Sequence, residues 1–203
     1  MKQFDTDKYE HGFIDFYEPY FNNLQDVQNI LEIGVYNGGS LQFLSSKFPN
    51  AKIYGIDIFD KTEYDTDKIK TYIVNQENRQ ELSDFINNVG VEFDIIIDDG
   101  GHLMRQQQIS FGVLFKHVKM GGLYILEDLH TSRLENLGTI LSDDIITSLD
   151  MLYNFIYTKK ILSNHIMDYE KEYIANNVDN IKIWSRTPEY NQSVTSIIKK
   201  KIN

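Results

Sequence analysis

One stretch, Asn29-Ile30-Leu31-Glu32-Ile33-Gly34-Val35-Tyr36-Asn37-Gly38-Gly39-Ser40, runs from an apolar segment through a glycine turn into a helical pattern. A second apolar segment, Lys52 to Ile58, follows that helix and carries Asp57 near its end, 19 residues after Gly38. Strand, turn, helix and strand in this order predict a parallel βαβ unit, whose ligands bind at the carboxyl ends of the strands.

The alternation of strand and helix continues along the chain. Five strands alternate with helices, which is the pattern of a doubly wound α/β sheet. Gly121-Gly122 is predicted to end the helix before the fifth strand, because glycine is common at helix C-termini. The predicted strands are 28–35, 52–58, 69–74, 93–98 and 123–127, and the predicted helices are 41–47, 79–89 and 104–118.

The two ends of the chain add helices and a hairpin. Residues 6–24 form an aromatic-rich helical pattern, which Pro19 is expected to interrupt or bend. The chain is predicted to close with an antiparallel hairpin at the edge of the sheet. The remaining predicted elements are helices over 136–159 and 168–176, and strands over 180–186 and 193–199 joined by a turn with Thr187-Pro188.

Pairs of acidic residues follow two of the predicted strands. Asp98 and Asp99 come directly after the apolar run of the fourth strand, and Glu127 and Asp128 come directly after the fifth. Carboxylates clustered at buried strand ends are unfavourable unless a cation neutralises them. The alternative is two solvated strand ends, but His102, three residues after Asp99, favours a site. Because oxygen ligands select a hard divalent cation, we expect Asp99, Glu127 and Asp128 to hold one.

Length and charge limit the class of protein. The chain has 203 residues and a formal net charge of -10, which fits one acidic domain and argues against nucleic acid as a partner. The absence of cysteine excludes disulfides and thiolate chemistry. No apolar stretch reaches the ~18 residues that span a membrane, so no membrane insertion is expected. The first residues lack the apolar core of a signal peptide, and we therefore expect a cytoplasmic location.

The glycine turn is suited to a nucleoside ligand. Gly34 can adopt backbone angles that are closed to other residues, and Gly38 opens a helix whose amides attract an anion. The carboxylate of Asp57 can accept hydrogen bonds from both hydroxyls of a ribose. The spacing is G-x-x-x-G-G, which differs from the G-x-G-x-x-G fingerprint of dinucleotide-binding sites.

With Glu32 two residues before Gly34, this turn resembles motif I of class I S-adenosylmethionine (SAM)-dependent methyltransferases. Five blocks resemble the macrocin- and mycinamicin-type sugar O-methyltransferases, a group that also has members labelled cephalosporin hydroxylases. The blocks agree in order and spacing over residues 5–130, although Gly101 replaces the usual serine. They are Thr6-Asp7-Lys8-Tyr9-Glu10-His11-Gly12-Phe13 with Tyr17-Glu18, Ile53-Tyr54-Gly55-Ile56-Asp57-Ile58-Phe59-Asp60-Lys61, Val74-Asn75-Gln76-Glu77-Asn78, Asp98-Asp99-Gly100-Gly101-His102 and Glu127-Asp128.

The resemblance implies a seven-stranded Rossmann-like sheet of order 3-2-1-4-5-7-6 with strand 7 antiparallel. It also implies SAM as the cofactor, Mg²⁺ or Mn²⁺ at the three acids, and a sugar or glycosylated small molecule as the acceptor. His102 is then the general base, since its family counterpart has that role. Relatives often assemble, so a homo-oligomer is one open outcome. The expected cofactor-binding residues are Glu32, Gly34, Gly38, Ser40, Asp57, Gln76 and Asp98.

Several residues keep two interpretations. Asp98 either caps the following helix or contacts the cofactor. His102 is either the base or a histidine bonded to backbone at a helix N-terminus. His130 lies either on the surface or at the acceptor. Without the leader resemblance, Lys8 and His11 would be solvated helix residues, so their roles stay open.

The domain is predicted to extend over 1–203, with a helical leader over 1–25 and a helical insertion over 131–179 that shapes the acceptor pocket. Two rival functions are a nicotinamide-dependent oxidoreductase and a non-catalytic SAM-binding protein. The first lacks its G-x-G-x-x-G fingerprint and would not require the three acids. The second would tolerate the loss of His102 or of the acids, all of which are present.

Overall fold

Seven strands form one sheet in the computed structural model, which describes residues 4–133, 146–186 and 193–202. They are β1 Asn29–Ile33, β2 Lys52–Asp57, β3 Ile69–Ile73, β4 Phe93–Asp98, β5 Val118–Leu126, β6 Val178–Arg186 and β7 Ser193–Lys200. Their order is β3-β2-β1-β4-β5-β7-β6, and β7 runs antiparallel to both β5 and β6. The predicted fold class, strand order and antiparallel β7 are confirmed.

Seven α-helices lie in the described parts of the chain. They are α1 Lys8–His11, α2 Phe13–Phe21, α3 Gly39–Lys47, α4 Arg79–Val89, α5 Met104–Leu114, α6 Ser148–Thr158 and α7 Asp168–Asn177. Short 3₁₀ turns occupy Thr62–Tyr64, Phe115–His117 and Leu129–Arg133. Among these residues, none of the helices has the length and apolarity that a bilayer crossing needs.

Helical layers cover both faces of the central strands. Ile95, Ile96 and Ile97 in β4 are each at most 1% exposed, as expected for a parallel strand between two layers. Successive side chains of a strand point to opposite faces. Ile95 and Ile97 accordingly belong to the core that contains Phe13 of α2, and Ile96 belongs to the core that contains Phe111 of α5.

The pairing of the strands brings their carboxyl ends to one edge. Ile33 pairs with Ile56 of β2 and with Asp98 of β4, and Asp98 pairs with Leu126 of β5. The turns that follow β1, β2, β4 and β5 therefore leave the sheet side by side. This register places the glycine turn, Asp57 and both acidic pairs close together.

The predicted end of the helix before the fifth strand is wrong. α5 ends at Leu114 instead of 118, and Gly121 and Gly122 lie inside β5. A buried lysine, Lys200, lies just after the helical segment, where its Nζ donates to Lys116 O at 2.9 Å and to Val118 O at 2.6 Å. Lys116 belongs to the 3₁₀ turn that follows α5 and Val118 is the first residue of β5, so the ammonium ties the junction between helix and strand to β7.

The leader is interrupted at Gly12 and not at Pro19. Gly12 has φ +75° and separates α1 from α2, whereas Pro19 lies inside α2. The left-handed conformation is accessible to glycine without steric cost, so the break falls there. Of the helix predicted over 136–159, the structure describes α6. Residues 134–145 and 187–192, which include the predicted turn with Thr187 and Pro188, lie outside the described residues.

Candidate active site

A cavity of about 740 Å³ opens at the carboxyl ends of the strands. Its walls include Gly34, Asp57, Gln76, Asp99 and His102. The predicted residues Ser40 and Asp128 also border it, and the leader contributes a wall that sequence reasoning missed: Asp5, Thr6, Asp7 and Glu10. A second cavity of about 730 Å³ between α2 and β6 has none of the predicted site residues in its lining.

The glycine turn after β1 packs directly against the end of β4. Gly34 has φ +88°, and a Cβ atom there would lie 2.1 Å from the carbonyl oxygen of Asp99. Gly38 has φ +72°, and its Cβ would lie 2.6 Å from the ring of Tyr64. Both positions therefore require glycine, and the turn that borders the cavity is tied to the strand that carries Asp99.

Asp57 is held in place by backbone amides. Its Oδ2 accepts hydrogen bonds from Val35 N at 2.9 Å and Tyr36 N at 3.3 Å, and its Oδ1 accepts one from Phe59 N at 3.0 Å. Ile58 and Phe59 beside it are 58% and 66% exposed. An oriented carboxylate next to an exposed apolar surface suits a ligand that joins a polyol to a flat ring.

Asp98 lies beneath the cavity wall. Its side chain accepts hydrogen bonds from Ser110 Oγ, from Gln76 Nε2 at 3.0 Å and from Tyr124 OH at 3.2 Å. Burial raises the pKa of Asp98 to about 6, although these donors oppose the shift. Gln76 in turn accepts from Gly101 N at 2.6 Å, so Asp98 and Gln76 together support the turn that leads to His102.

Asp99, His102 and Asp128 converge at the floor of the site. One ligand atom from each lies within 4.8 Å of the other two. His102 Nε2 is 3.3 Å from Asp128 Oδ2, and His130 Nδ1 is 3.6 Å from Asp128 Oδ1. Burial, and then the charge of Asp99, raise the pKa of Asp128. The two acidic strand ends therefore meet, as predicted.

Glu127 is turned toward the leader. It is 1% exposed, and its Oε2 accepts a hydrogen bond from Lys8 Nζ at 2.8 Å. Lys8 Nζ also donates to Asp99 Oδ2 and lies 3.4 Å from Glu32 Oε1. Burial alone would lower the pKa of Lys8, but Asp99, Glu127 and Glu32 together raise it above its ordinary value.

Lys8 is thus a site residue that the sequence pattern alone would have placed in solvent. Its side chain is 2% exposed, whereas helix α1 has only four residues and no periodicity that would mark a buried face. Only the leader resemblance pointed to it. Glu32 beneath it is fully buried, and burial raises the pKa of Glu32 to about 7 despite the opposing charge of Lys8. Ser40 Oγ donates to Glu32 Oε1 at 2.5 Å.

The oxygens of the site fit a divalent cation. Within the described residues, Glu127 Oε1 and Asp128 Oδ1 are buried and have no hydrogen-bond partner. A buried carboxylate oxygen without a donor is costly, and a cation would remove that cost. In the described residues, the group whose ligand atoms lie close enough to share one ion consists of Asp99, His102 and Asp128, and Glu127 is not in it. Carboxylate oxygens prefer a hard ion such as Mg²⁺ or Mn²⁺.

His11 and His130 lie near the same region, since the charges of both act on Asp128. His11 Nδ1 is 2.6 Å from Ser193 Oγ at the start of β7, so the leader and the terminal hairpin meet here. Burial lowers the pKa of His130. Thr131 Oγ1 donates to the carbonyl oxygens of Asp128 at 2.9 Å and of His102 at 3.1 Å, which joins the two acidic turns.

Curated relatives of the chain are sugar O-methyltransferases. The chain is 40% identical over 136 residues to mycinamicin VI 2''-O-methyltransferase of Micromonospora griseorubida, which covers 63% of this chain and 34% of that protein. It is 32% identical over 154 residues to 8-demethyl-8-alpha-L-rhamnosyl tetracenomycin-C 2'-O-methyltransferase of Streptomyces olivaceus. This match covers 72% of this chain and 40% of that protein. The chain therefore spans less than half the length of these relatives. No family model matches it.

A solved structure shares the fold. The MycE methyltransferase from the mycinamycin biosynthetic pathway, in complex with Mg, S-adenosylhomocysteine (SAH) and mycinamycin VI, is 29% identical with a TM-score of 0.71. The match covers 94% of this chain and 48% of that chain. The strand order and this match define a class I methyltransferase fold. Within that class, the chain is homologous to the sugar O-methyltransferases of the macrocin and mycinamicin type.

Proposed function

We propose that the chain is a SAM-dependent O-methyltransferase that acts on a hydroxyl of a sugar or a glycosylated small molecule. One observation carries the proposal: a single cavity is bordered by the Gly34 turn with Asp57 and by Asp99, His102 and Asp128. A cofactor on the first group and an acceptor on the second would meet inside one enclosure. The sugar O-methyltransferase names of the relatives support the same reaction.

The cofactor would lie along the glycine turn. Asp57 would accept the ribose hydroxyls, and the exposed side chains of Ile58 and Phe59 would flank the adenine. Gly34 leaves room for the ligand beside the chain. Of the other predicted cofactor residues, Ser40 and Gln76 border the cavity, while Glu32, Gly38 and Asp98 are buried behind it.

Asp99, Glu127 and Asp128 would hold the cation, Mg²⁺ or Mn²⁺. The unpartnered oxygens of Glu127 and Asp128 support this set, and the presence of Mg in the MycE complex supports a reaction that uses a metal ion. A bound divalent cation would lower the pKa of a coordinated sugar hydroxyl and fix its position. The alternative grouping replaces Glu127 by His102, whose ring nitrogen lies in the cluster with Asp99 and Asp128.

His102 would remove the proton of the acceptor hydroxyl. Its side chain is 38% exposed at the cavity, and Asp128 Oδ2 lies 3.3 Å from Nε2, where the carboxylate can orient the ring. A neutral hydroxyl is a weak nucleophile, so it must lose its proton as it attacks the methyl carbon. A neutral imidazole can take that proton and then share its positive charge with Asp128.

The remaining predictions concern the acceptor pocket, the location, the partners and the rival function. The insertion over 131–179, of which α6 and α7 are described, is proposed to shape the acceptor pocket within one domain over 1–203. A cytoplasmic location, the absence of a nucleic-acid partner and a possible homo-oligomer remain predictions. The similarity to methyltransferases, rather than to nicotinamide enzymes, favours the proposed reaction over the rival oxidoreductase.

A methyl-transfer assay tests the proposal. We expect a panel of glycosides to include one that gains a methyl group from SAM in the presence of Mg²⁺, with turnover stopped by a chelator. His102→Ala should slow the chemical step by roughly 10²–10⁴-fold, and SAH affinity should change little. His165→Ala is the matched control. Failure to bind SAH, together with no transfer to any glycoside, would contradict the proposal.

A further inference from the structure

The leader places a buried ammonium group among three acids. Lys8 Nζ is 2.8 Å from Glu127 Oε2 and 3.4 Å from Glu32 Oε1, and it donates to Asp99 Oδ2. Two of these acids, Asp99 and Glu127, belong to the proposed cation site. The lysine side chain is 2% exposed, so water does not compete for its protons.

Lys8 has a third acidic partner, Glu32, which the proposed cation would not contact. Glu32 is fully buried, does not border the cavity, and receives one hydrogen bond from Ser40. A cation held by Asp99, Glu127 and Asp128 would leave Glu32 without a positive partner if the lysine moved away. An uncompensated buried carboxylate is strongly unfavourable, so the ammonium should stay where it is.

Lys8 binds only one oxygen of each carboxylate that it shares with the proposed cation site. The ammonium uses Glu127 Oε2 and Asp99 Oδ2, whereas Glu127 Oε1 and Asp128 Oδ1 have no hydrogen-bond partner in the described structure. Each of the first two carboxylates can then bridge the lysine on one oxygen and a cation on the other. This is the arrangement by which outer groups orient the ligands of a metal.

We propose that Lys8 is a positioning residue of the divalent-cation site, which it serves by fixing one oxygen of Glu127 and one of Asp99 so that the other oxygens face the ion. The inference rests on the proposed function, because it assumes that Asp99, Glu127 and Asp128 bind the ion. It makes the leader part of the site. Two other roles are possible for the lysine: a competitor that the ion must displace, or a purely structural counter-ion.

Calorimetric titration with Mn²⁺ separates the three roles. Lys8→Met keeps the length of the side chain and removes the ammonium. If Lys8 positions the carboxylates, Mn²⁺ should bind Lys8→Met about 10–100-fold more weakly than wild type, the usual effect of losing an outer-shell partner. Tighter binding would identify a competitor, and unchanged binding would identify a structural role; either result overturns the proposal. Lys47→Met, which removes a partly exposed lysine paired with Glu18 at 3.1 Å, is the control.

A double variant protects the test against misfolding. Lys8→Met leaves Glu32 without a cation, whereas Lys8→Met/Glu32→Gln removes that charge as well and should fold. Its Mn²⁺ affinity should still be about 10–100-fold below that of Glu32→Gln alone, because Glu127 stays unpositioned. Equal affinities in this pair would overturn the inference. If wild type itself binds no Mn²⁺, or if Asp128→Asn binds it normally, the cation site of the proposed function fails instead.

Discussion

Asp57 shows how a single side chain is prepared for a ligand. Three backbone amides, from Val35, Tyr36 and Phe59, fix the orientation of its carboxylate. We expect Asp57→Ala to weaken SAH binding, because each charge-assisted bond to a ribose hydroxyl contributes about 1.5–3 kcal/mol. Calorimetry measures the loss, and Asp67→Ala, at an exposed acid, should leave the affinity unchanged. Normal affinity in Asp57→Ala would refute the assigned cofactor position.

Gly34 is the residue at which cofactor turn and cation site are coupled. A Cβ atom 2.1 Å from Asp99 O cannot be accommodated without moving the backbone that carries Asp99. Gly34→Ala should therefore impair both SAH binding and Mn²⁺ binding. Gly90→Ala is the matched control, since Gly90 also has positive φ, at +63°, but its Cβ would meet no atom within 4 Å. The control should lose about 1–2 kcal/mol of stability and no binding. Equal binding in both variants would contradict this coupling.

The site was only partly predictable from the sequence at this scale. Asp57, Asp99, His102 and Asp128 border the cavity as expected, because strand ends in a parallel sheet share one edge. The contacts of Lys8 could not be read from its surroundings, since they join residues 91 and 119 positions apart in the chain. Such pairings depend on how the leader folds back over the sheet.

At the scale of elements, the junction between α5 and β5 is held by a residue from the last strand. Lys200 is 4% exposed, donates to Lys116 O and Val118 O, and lies 5.2 Å from the centre of the Tyr173 ring. Lys200→Met would leave two carbonyls unsatisfied, at about 1–3 kcal/mol each, so we expect unfolding in urea at a lower midpoint. Lys201→Met, whose ammonium donates to an exposed carbonyl, should change the midpoint little. Equal midpoints would show that Lys200 does not stabilise this junction.

Elements with strong local signals were predicted closely, and the others were not. α4 and β4 have the predicted bounds because Asn78 caps the helix and an uninterrupted apolar run defines the strand. The end of α5 was missed because no glycine marks it: the chain passes through the 3₁₀ turn Phe115–His117 into β5, and Gly121 and Gly122 lie inside that strand. The break at Gly12 was missed because Pro19 is the stronger local signal, yet proline is tolerated where it lies in α2.

For the whole molecule, a half-buried histidine should make stability depend on pH. Burial, and then the charges of Lys116 and Lys200, lower the pKa of His117 from 6.5 to about 4. The unfolded chain therefore binds this proton more readily, so the contribution of His117 is complete above pH 6.5 and is lost as pH falls toward 4. Glu32 and Asp98 act in the opposite direction, since burial raises their pKa values to about 7 and about 6.

We therefore expect His117→Gln to lose less stability than wild type between pH 6.5 and pH 4, the window set by the two pKa values. The free energy of unfolding from urea titrations at several pH values measures the difference. His165→Gln provides the comparison with a second histidine outside the site. Parallel pH profiles for wild type and His117→Gln would show that His117 is not held in its neutral form.

The central claim is that the cofactor turn and the cation site form one active site. A crystal structure with SAH and Mn²⁺, with the ion located by anomalous scattering, tests it most directly. We expect the ribose of SAH on Asp57, and Mn²⁺ on Asp99, Glu127 and Asp128 with Lys8 still bound to Glu127. SAH away from Asp57, or Mn²⁺ held by His102 while Glu127 stays outside its coordination, would contradict the account.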